Sequence, residues 1–290
     1  YIIQNEYNKL MSNQDLTVII NTFNSDEKIF SCLESISPDI AIIIIENSSN
    51  IDFKNTIEKK YLNVKCILTG ENLGYANGNN LGLSKVKTKF SLILNPDTIL
   101  QKNSIDNFFK STSRYPNFAI LSPAIQEEKD KDLKINNSNL IEVDNVKGFA
   151  MFLNMKQFKE IGFFDKNFFI YFEEIDLCRR LKIANKKIYL DPNIIIYHVG
   201  GSSHNKSIDN EMELSRNWHW MWSTFYYHKK YNGFTFAFIK ISKKLISALF
   251  KILFYSIIFK KNKKNIYYQR ASGLINSIIG NKSWYRPKVF

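Results

Sequence analysis

Three observations predict an α/β fold, with a largely parallel sheet covered by helices on both faces. Short runs of continuous apolar residues recur at intervals of about 20 to 25 residues through the first hundred positions, as buried parallel strands do. Stretches of helical character separate these runs. Each run ends in small polar or acidic residues, and open α/β sheets bind ligands beyond the carboxyl ends of their strands.

Residues 1–15 are polar and read as an N-terminal arm. Leu16 to Ile20 is the first strand, followed by Thr22 and Asn24. Asn24-Ser25-Asp26 is placed to cap a helix from about Glu27 to Ser37, which Pro38 closes. Ala41 to Ile45 is the second strand and leads into Glu46 and the loop Asn47-Ser48-Ser49-Asn50. A helix near Phe53–Tyr61 precedes a third strand, Val64–Leu68, and a loop from Thr69 to Tyr75 that carries Asn72. A helix over Ala76–Val86 precedes a fourth strand, Phe90–Leu94, which ends in Asn95-Pro96-Asp97. Residues 126–140 read as a solvated excursion, and 145–155 as a strand containing Gly148. Ile188–Leu190 and Ile194–Tyr197 are two short strands, the second ending at His198.

The 290 residues are 44% hydrophobic and 14% aromatic, which excludes a disordered or fibrous chain. The net charge of +13 is unevenly placed. All 27 acidic residues precede Leu214, while 15 of the 40 basic ones follow Glu213, so a near-neutral body carries a cationic C-terminal part. Cys32, Cys66 and Cys178 are too scattered for a disulfide scaffold or a metal knuckle and read as buried thiols. The run Thr17 to Ile20 is too short for a signal-peptide core, so no targeting segment is expected. No stretch reaches about 18 uninterrupted apolar residues, so no transmembrane span is expected; Leu245 to Phe259, interrupted by the charge of Lys251, comes nearest.

Four constellations carry chemistry. Asn95-Pro96-Asp97 is a tight strand exit that reads either as an ordinary turn or as a carboxylate site for Mg²⁺ or Mn²⁺. Glu173 and Asp176 share a helix face, and Arg180 lies one turn beyond Asp176. These acids can simply complement the helix dipole. Beside Phe168, Phe169, Tyr171 and Phe172, partial burial would instead raise one of Glu173, Glu174 or Asp176 toward the range of a general base. His198 is either a structural histidine or a ligand; His204, His219 and His228 have weaker claims. Gly74, Gly78 and Gly82 match neither dinucleotide nor P-loop spacing, but they would let a helix approach another backbone closely.

Taken in order, these blocks resemble a family 2 glycosyltransferase of the GT-A fold, in the rhamnosyltransferase-like subset of bacterial surface polysaccharide synthesis. Thr22-Phe23-Asn24 resembles the first nucleotide-contact loop, and Glu46-Asn47-Ser48-Ser49 the base-binding loop, where the family more often has Asp at position 46. Asn72 through Asn80, with Gly74, is similar to the family's Asn-x-Gly block. Asn95-Pro96-Asp97 resembles its metal motif and His198 its late histidine ligand. Phe172-Glu173-Glu174-Ile175-Asp176 resembles its acidic motif, with Glu174 at the general-base position, where Asp is usual. The resemblance implies a mixed central sheet flanked by helices and a C-terminal helical extension. It also implies a nucleotide-sugar donor, a divalent cation at Asp97 and His198, and inverting transfer to a hydroxyl of a saccharide or lipid-linked saccharide. Within it dTDP-L-rhamnose is favoured, ahead of a UDP-hexose or UDP-N-acetylhexosamine. A nucleotidyltransferase-like enzyme would carry a basic Gly-rich loop after the first strand, and Asn21 to Ser25 has neither feature.

The resemblance places the catalytic domain at 16–232. Between Arg216 and Tyr231, residues 218, 222 and 225 share a helical face that either packs on the body or walls an acceptor pocket, with Arg216 reaching the diphosphate. Residues 233–290 alternate apolar side chains with lysines and read as an amphipathic helical extension on an anionic membrane surface. A homo-oligomer contact is the competing reading, and nucleic acid is not an expected partner. The expected location is cytoplasmic, on the inner face of the bacterial cytoplasmic membrane.

Overall fold

The computed structural model describes residues 12–25, 28–126, 139–198 and 206–287. The structural expectations for Asp26, Glu27, His204, the bulk of the 1–15 arm, residues 127–138 and the glycines after His198 lie outside the described residues. The elements are β1 (Leu16–Thr22), α1 (Ile29–Glu34), β2 (Ala41–Glu46), α2 (Ile51–Lys60), β3 (Val64–Leu68), α3 (Gly74–Leu83), β4 (Phe90–Leu94), β5 (Thr98–Leu100), α4 (Ser104–Arg114), β6 (Phe118–Gln126), β7 (Ile141–Glu142), β8 (Ala150–Asn154), α5 (Glu173–Ile183), β9 (Lys187–His198), α6 (Asp209–Ile257) and α7 (Lys261–Ile278).

The strands form one mixed sheet in the order β3-β2-β1-β4-β8-β6-β9-β5, with β7 beside β9. β3, β2, β1 and β4 are mutually parallel, and β8 then runs antiparallel to β4. Side-chain alternation divides the core into two layers. Val18, Ile20, Leu92, Leu94 and Phe152 enter the layer covered by α1, α2 and α4. Ile19, Ile93, Met151 and Leu153 enter the layer covered by α3 and α5. Phe108 stacks on Phe152 with ring centroids 4.7 Å apart and fills the first layer where the helices are short.

Local chemistry shifts several expected boundaries. α2 starts at Ile51 because the Asn50 side chain accepts the Phe53 N–H at 2.9 Å. Gly148 lies in the turn before β8 rather than in the strand. The two expected strands after residue 187 are one, β9, whose register jumps at Asp191, where Pro192 follows and has no N–H to donate. α4, β5 and β6 had no counterpart in the sequence reading.

The C-terminal region is helical. α6 kinks at Gly233, whose φ of 80° breaks the helix between the expected catalytic body and extension. α7 folds back along α6. Leu274 of α7 is fully buried with Met221 and Phe225 from before the kink and Ala237 and Ile241 from after it. Trp218, Trp222 and Phe225 are buried in this packing, so the face they share is structural. A Cβ on Gly273 would lie 2.2 Å from the Trp218 carbonyl oxygen. No helix among the described residues is long and apolar enough to cross a membrane. Gly273→Ala must therefore push α7 off α6, and thermal unfolding followed by circular dichroism should show a loss of about 1–3 kcal/mol.

Candidate active site

At the exits of the parallel strands, polar side chains satisfy one another. The Asn21 amide donates to the carbonyls of Gly74 at 3.0 Å and Tyr75 at 3.1 Å. The Asn47 amide donates to the Asn21 side-chain oxygen and to the Thr22 carbonyl at 3.0 Å, and it accepts the Leu73 N–H at 3.0 Å. β1, β2 and the start of α3 are thereby locked together. The buried Glu46 carboxylate accepts from the hydroxyls of Thr22 at 2.5 Å and Ser48 at 2.6 Å, and from the Asn24 N–H at 3.5 Å. That ring of donors accompanies Asn24 in a left-handed conformation, φ 50°.

Of the α3 glycines only Gly74 makes the expected close approach to another backbone; Gly78 and Gly82 leave room for the side chains of Asn21 and Ile19. A Cβ on Gly74 would strike the Phe169 carbonyl oxygen at 2.4 Å, and one on Gly78 the Asn21 amide at 2.5 Å. This closeness lets the Tyr75 N–H donate to the Phe169 carbonyl at 2.7 Å, fixing the loop before α5 to the head of α3.

Asn95-Pro96-Asp97 forms a turn in which the Thr98 N–H and hydroxyl both donate to the Asn95 carbonyl, at 3.2 and 2.7 Å. Thr98 then pairs with His198 in the β5–β9 ladder. The register brings His198 Nε2 to 3.3 Å from Asp97 Oδ1, while the His198 ring leans on Phe149 with centroids 5.1 Å apart. Asp97 is 6% exposed, and its Oδ1 has no hydrogen-bond partner. An orphaned, buried carboxylate oxygen beside an imidazole fits a divalent cation. Among the described residues no group of three or more His, Cys, Asp or Glu side chains gathers for a metal. A cation here would take its remaining ligands from substrate oxygens and water, as Mg²⁺ commonly does.

The expected acids separate into two kinds. Asp176 is fully buried, but its oxygens are held by Arg180 at 2.8 Å, Lys230 at 2.5 Å and the Tyr231 hydroxyl at 2.8 Å. It bolts α5 to α6. Glu173 and Glu174 each keep a buried Oε2 with no hydrogen-bond partner among the described residues. Burial, followed by the Glu174 charge, pushes the Glu173 carboxyl well above its usual range, and burial also raises Glu174. Both acids in turn help hold the Tyr75 phenol in its neutral form, after burial itself. Tyr171 and Phe172, just ahead of the acids, take φ values of 70° and 71°, a strained approach for non-glycine residues.

Thr22, Asn47, Asn72, Gly74, Asn95 and Arg216 line one cleft of about 150 Å³. Asn95 and Pro96, immediately before Asp97, line it, and so do Phe169 and Ile170, with Ile170 three residues before Glu173 and four before Glu174. Asn24 and Glu46 support the cleft from the loop network, and Ser49 is turned toward the Gly70 carbonyl at 3.5 Å. Asn80 is spent on the Phe164 backbone, donating to its carbonyl at 2.9 Å and accepting its N–H at 3.0 Å. The sequence reading assigned no role here to Tyr75 or Pro287, which also line the cleft. No local pattern marks Pro287, because it arrives after α7 has doubled back. A second cavity of about 880 Å³ adjoins through Arg216 and is lined by Tyr171, Asp209, Glu213, Trp220 and Arg270.

Parallel strand exits feeding a polar cleft, flanked by a carboxylate–imidazole pair and two unpaired acids on a mixed sheet, define a glycosyltransferase of GT-A-like fold. The chain belongs to glycosyl transferase family 2, whose model matches residues 17–187. It is 26% identical to the rhamnosyltransferase WbbL of Escherichia coli K12 over 248 residues, covering 72% of this chain and 91% of that one. It is 28% identical to the low-salt glycan biosynthesis hexosyltransferase Agl10 of Haloferax volcanii over 60% of this chain, and spans 64% of that protein's length. Among solved structures, the mannosyltransferase PcManGT of Pyrobaculum calidifontis, in complex with GDP-Man and Mn²⁺, superposes with a TM-score of 0.57 at 10% identity, over 91% of this chain and 87% of that one. S. aureus TarS 1-349 gives 0.55 at 12% identity, over 93% of each chain. At these identities the superpositions establish the fold alone.

The unpaired acids have a thermodynamic signature. Glu173 holds its proton more tightly folded than unfolded, so its stabilising contribution is complete below the usual 4.5 and is lost as pH rises from there through the raised value. Glu173→Gln should thus melt about 2–4 °C above the parent chain at neutral pH, with the gap closing on acidification. Parallel melting curves across that range would show the carboxyl to be hydrated.

Proposed function

We propose that this chain transfers L-rhamnose from dTDP-L-rhamnose to a hydroxyl of a lipid-linked saccharide, with inversion at the anomeric carbon. The observation that carries this reading is the buried acid pair at the head of α5, each acid with an Oε2 unpartnered among the described residues, in a chain where Asp97 stands 3.3 Å from His198 and where one cleft is lined both by Asn95 and Pro96, just before Asp97, and by Phe169 and Ile170, just before the acids. Glu173 is almost wholly buried, whereas Glu174 keeps some exposure, so Glu174 is the acid an acceptor hydroxyl can reach. Its raised proton affinity strengthens it as a base. As the acceptor oxygen attacks the anomeric carbon, its proton passes to Glu174 and the nucleoside diphosphate departs with the bonding electrons.

Asp97 and His198 would hold a divalent cation, which when bound would offset charge on the departing diphosphate. Arg216 lines both cavities, which supports a role for it in contacting the same diphosphate. The rhamnosyl donor is supported by the name of the E. coli relative and by that of an N-acetylglucosaminyl-diphospho-decaprenol L-rhamnosyltransferase of Mycobacterium tuberculosis, 22% identical over 57% of this chain. That second name also supports a lipid-linked acceptor. Surface polysaccharide synthesis is the corresponding setting.

An anionic membrane surface is the proposed partner of the C-terminal helices. Ile246, Phe250, Leu253 and Ile257 on α6 are each 66% or more exposed, and Phe259 beyond its end is 91% exposed. They stand among lysines in a stretch without one acidic residue. On this reading the chain works on the inner face of the bacterial cytoplasmic membrane.

Glu174→Gln should lower kcat by about 10²–10⁴-fold with donor binding intact. In the parent enzyme the acid limb of the pH–rate profile should lie above the usual glutamate value of 4.5. A donor screen should show turnover of dTDP-rhamnose; turnover of UDP-sugars alone would replace the donor and keep the chemistry. In flotation with phosphatidylglycerol vesicles, the parent chain should rise with the lipid and Phe250→Asp/Leu253→Asp should stay behind. Equal behaviour would remove the membrane from this reading.

A further inference from the structure

The 880 Å³ cavity does not end at Trp220. Trp220 and Arg270 also line a narrower groove of about 190 Å³ between α7 and the part of α6 beyond its kink, where Lys244, Lys251 and Tyr267 join them. No acidic side chain lines this groove. The acids of the larger cavity, Asp209 and Glu213, belong to the opening turns of α6.

The cations of the groove are held by neutral partners. Arg270 Nε donates to the Asn217 side-chain oxygen at 2.7 Å. Lys251 Nζ donates to the Tyr267 hydroxyl at 3.2 Å and lies 4.7 Å from the Tyr267 ring centre; the Arg270 guanidinium lies 5.1 Å from the same centre. Gathering positive charges with no counter-ion is unfavourable in the free protein. Burial, then the charges of Lys240 and Arg270, hold Lys244 below the usual lysine range. Lys240, Lys244 and Arg179 likewise add to burial in disfavouring the His228 proton. Such a groove is built for an anion.

The order of surfaces says which anion. The exposed apolar side chains Ile246, Phe250 and Leu253 stand on the same turns of α6 as the Lys244 and Lys251 that line the groove. Through Trp220 and Arg270 the groove meets the larger cavity, where Trp220 is 45% exposed and edge-on to Tyr171 at 5.2 Å between ring centres. Tyr171 sits close enough to Glu173 and Glu174 for their charges to act on its phenol. Apolar face, cationic groove, aromatic cavity and acid follow the sequence of an amphiphile: hydrocarbon tail, diphosphate, sugar ring, reacting hydroxyl.

We propose that Lys244, Lys251 and Arg270 form a diphosphate seat for the lipid-linked acceptor, separate from the donor cleft, with Trp220 as the platform for the acceptor sugar. The assignment rests on the sugar-transfer reading above, but the seat can be tested by binding alone. The full chain, saturated with dTDP and Mn²⁺, is titrated calorimetrically with farnesyl diphosphate and with inorganic pyrophosphate. Both should bind, and Lys244→Ala/Lys251→Ala should weaken both by about tenfold or more while dTDP affinity is unchanged. Lys244→Arg/Lys251→Arg should retain binding, which separates lost charge from lost folding. Unchanged binding in the alanine variant overturns the seat. So does complete competition by phosphatidylglycerol vesicles free of diphosphate lipid, which would make the groove a headgroup contact. Failure of dTDP and UDP to bind, with farnesyl diphosphate still bound, would strike the transfer reading and leave the seat standing.

Discussion

The site depends on two asparagine side chains. Asn21 and Asn47 leave adjacent parallel strands two residues apart in register, and between them they satisfy the backbone of β1, the loop after Asn72 and the head of α3. A buried amide offers both a donor and an acceptor end, so it can join segments that no backbone ladder connects. Through α3 the lock extends to Phe169, whose carbonyl receives the Tyr75 N–H, and so to the strained turn that presents Glu173 and Glu174. The cleft is open because polar groups at the strand ends pair sideways with each other rather than reaching across it.

The sheet and the acids resolve a tension between stability and chemistry. Asp176 is as buried as Glu173, yet two cations and a phenol surround it, and it serves as a structural bolt. Glu173 and Glu174, three and two residues earlier, are buried with an Oε2 that has no partner among the described residues. A single helical turn therefore carries one carboxylate neutralised from α6 and two acids that each keep an unpartnered oxygen. Groups left costly in the folded state are those most responsive when a substrate arrives.

The first four strands were legible because their chemistry is local. Val64–Leu68 and Phe90–Leu94 match the expected limits, since continuous apolar character and polar exits are printed in the residues themselves. The pairing of Asp97 with His198 was reachable from resemblance, and its structural cause is a β5–β9 register that no periodicity announces in a three-residue strand. Spacing left three acids equivalent. Only Lys230 and Tyr231, more than fifty residues away, single out Asp176. Trp218, Trp222 and Phe225 showed a clear stripe, but a stripe does not say whether its partner is protein or ligand; α7 supplies the answer, and the adjacent Trp220 is left facing the cavity. The contribution of Pro287 was invisible for the same reason, because it depends on where a returning chain ends.

Charge segregation along the chain then acquires a function. The residues of the cleft that come from the parallel strands and α3 include no lysine or arginine. Taken alone, the described part of residues 17–187 would offer a nucleoside diphosphate no cation in this cleft. Arg216, the one cation among the described residues lining the cleft, comes from α6. Arg286, stacked 4.1 Å from the centre of the Phe169 ring, comes from the segment after α7. The positive charge that an anionic substrate needs thus enters from beyond the matched family region, on helices that also expose apolar surface. Arg216, the exposed apolar surface of α6 and the acid pair are coupled through one structural unit, since α6 is bonded to α5 at Asp176 and to the loop before it where the Ser223 hydroxyl donates to the Ile170 carbonyl at 3.0 Å. Any displacement of α6 on a membrane would therefore be felt at the residues immediately preceding Glu173 and Glu174.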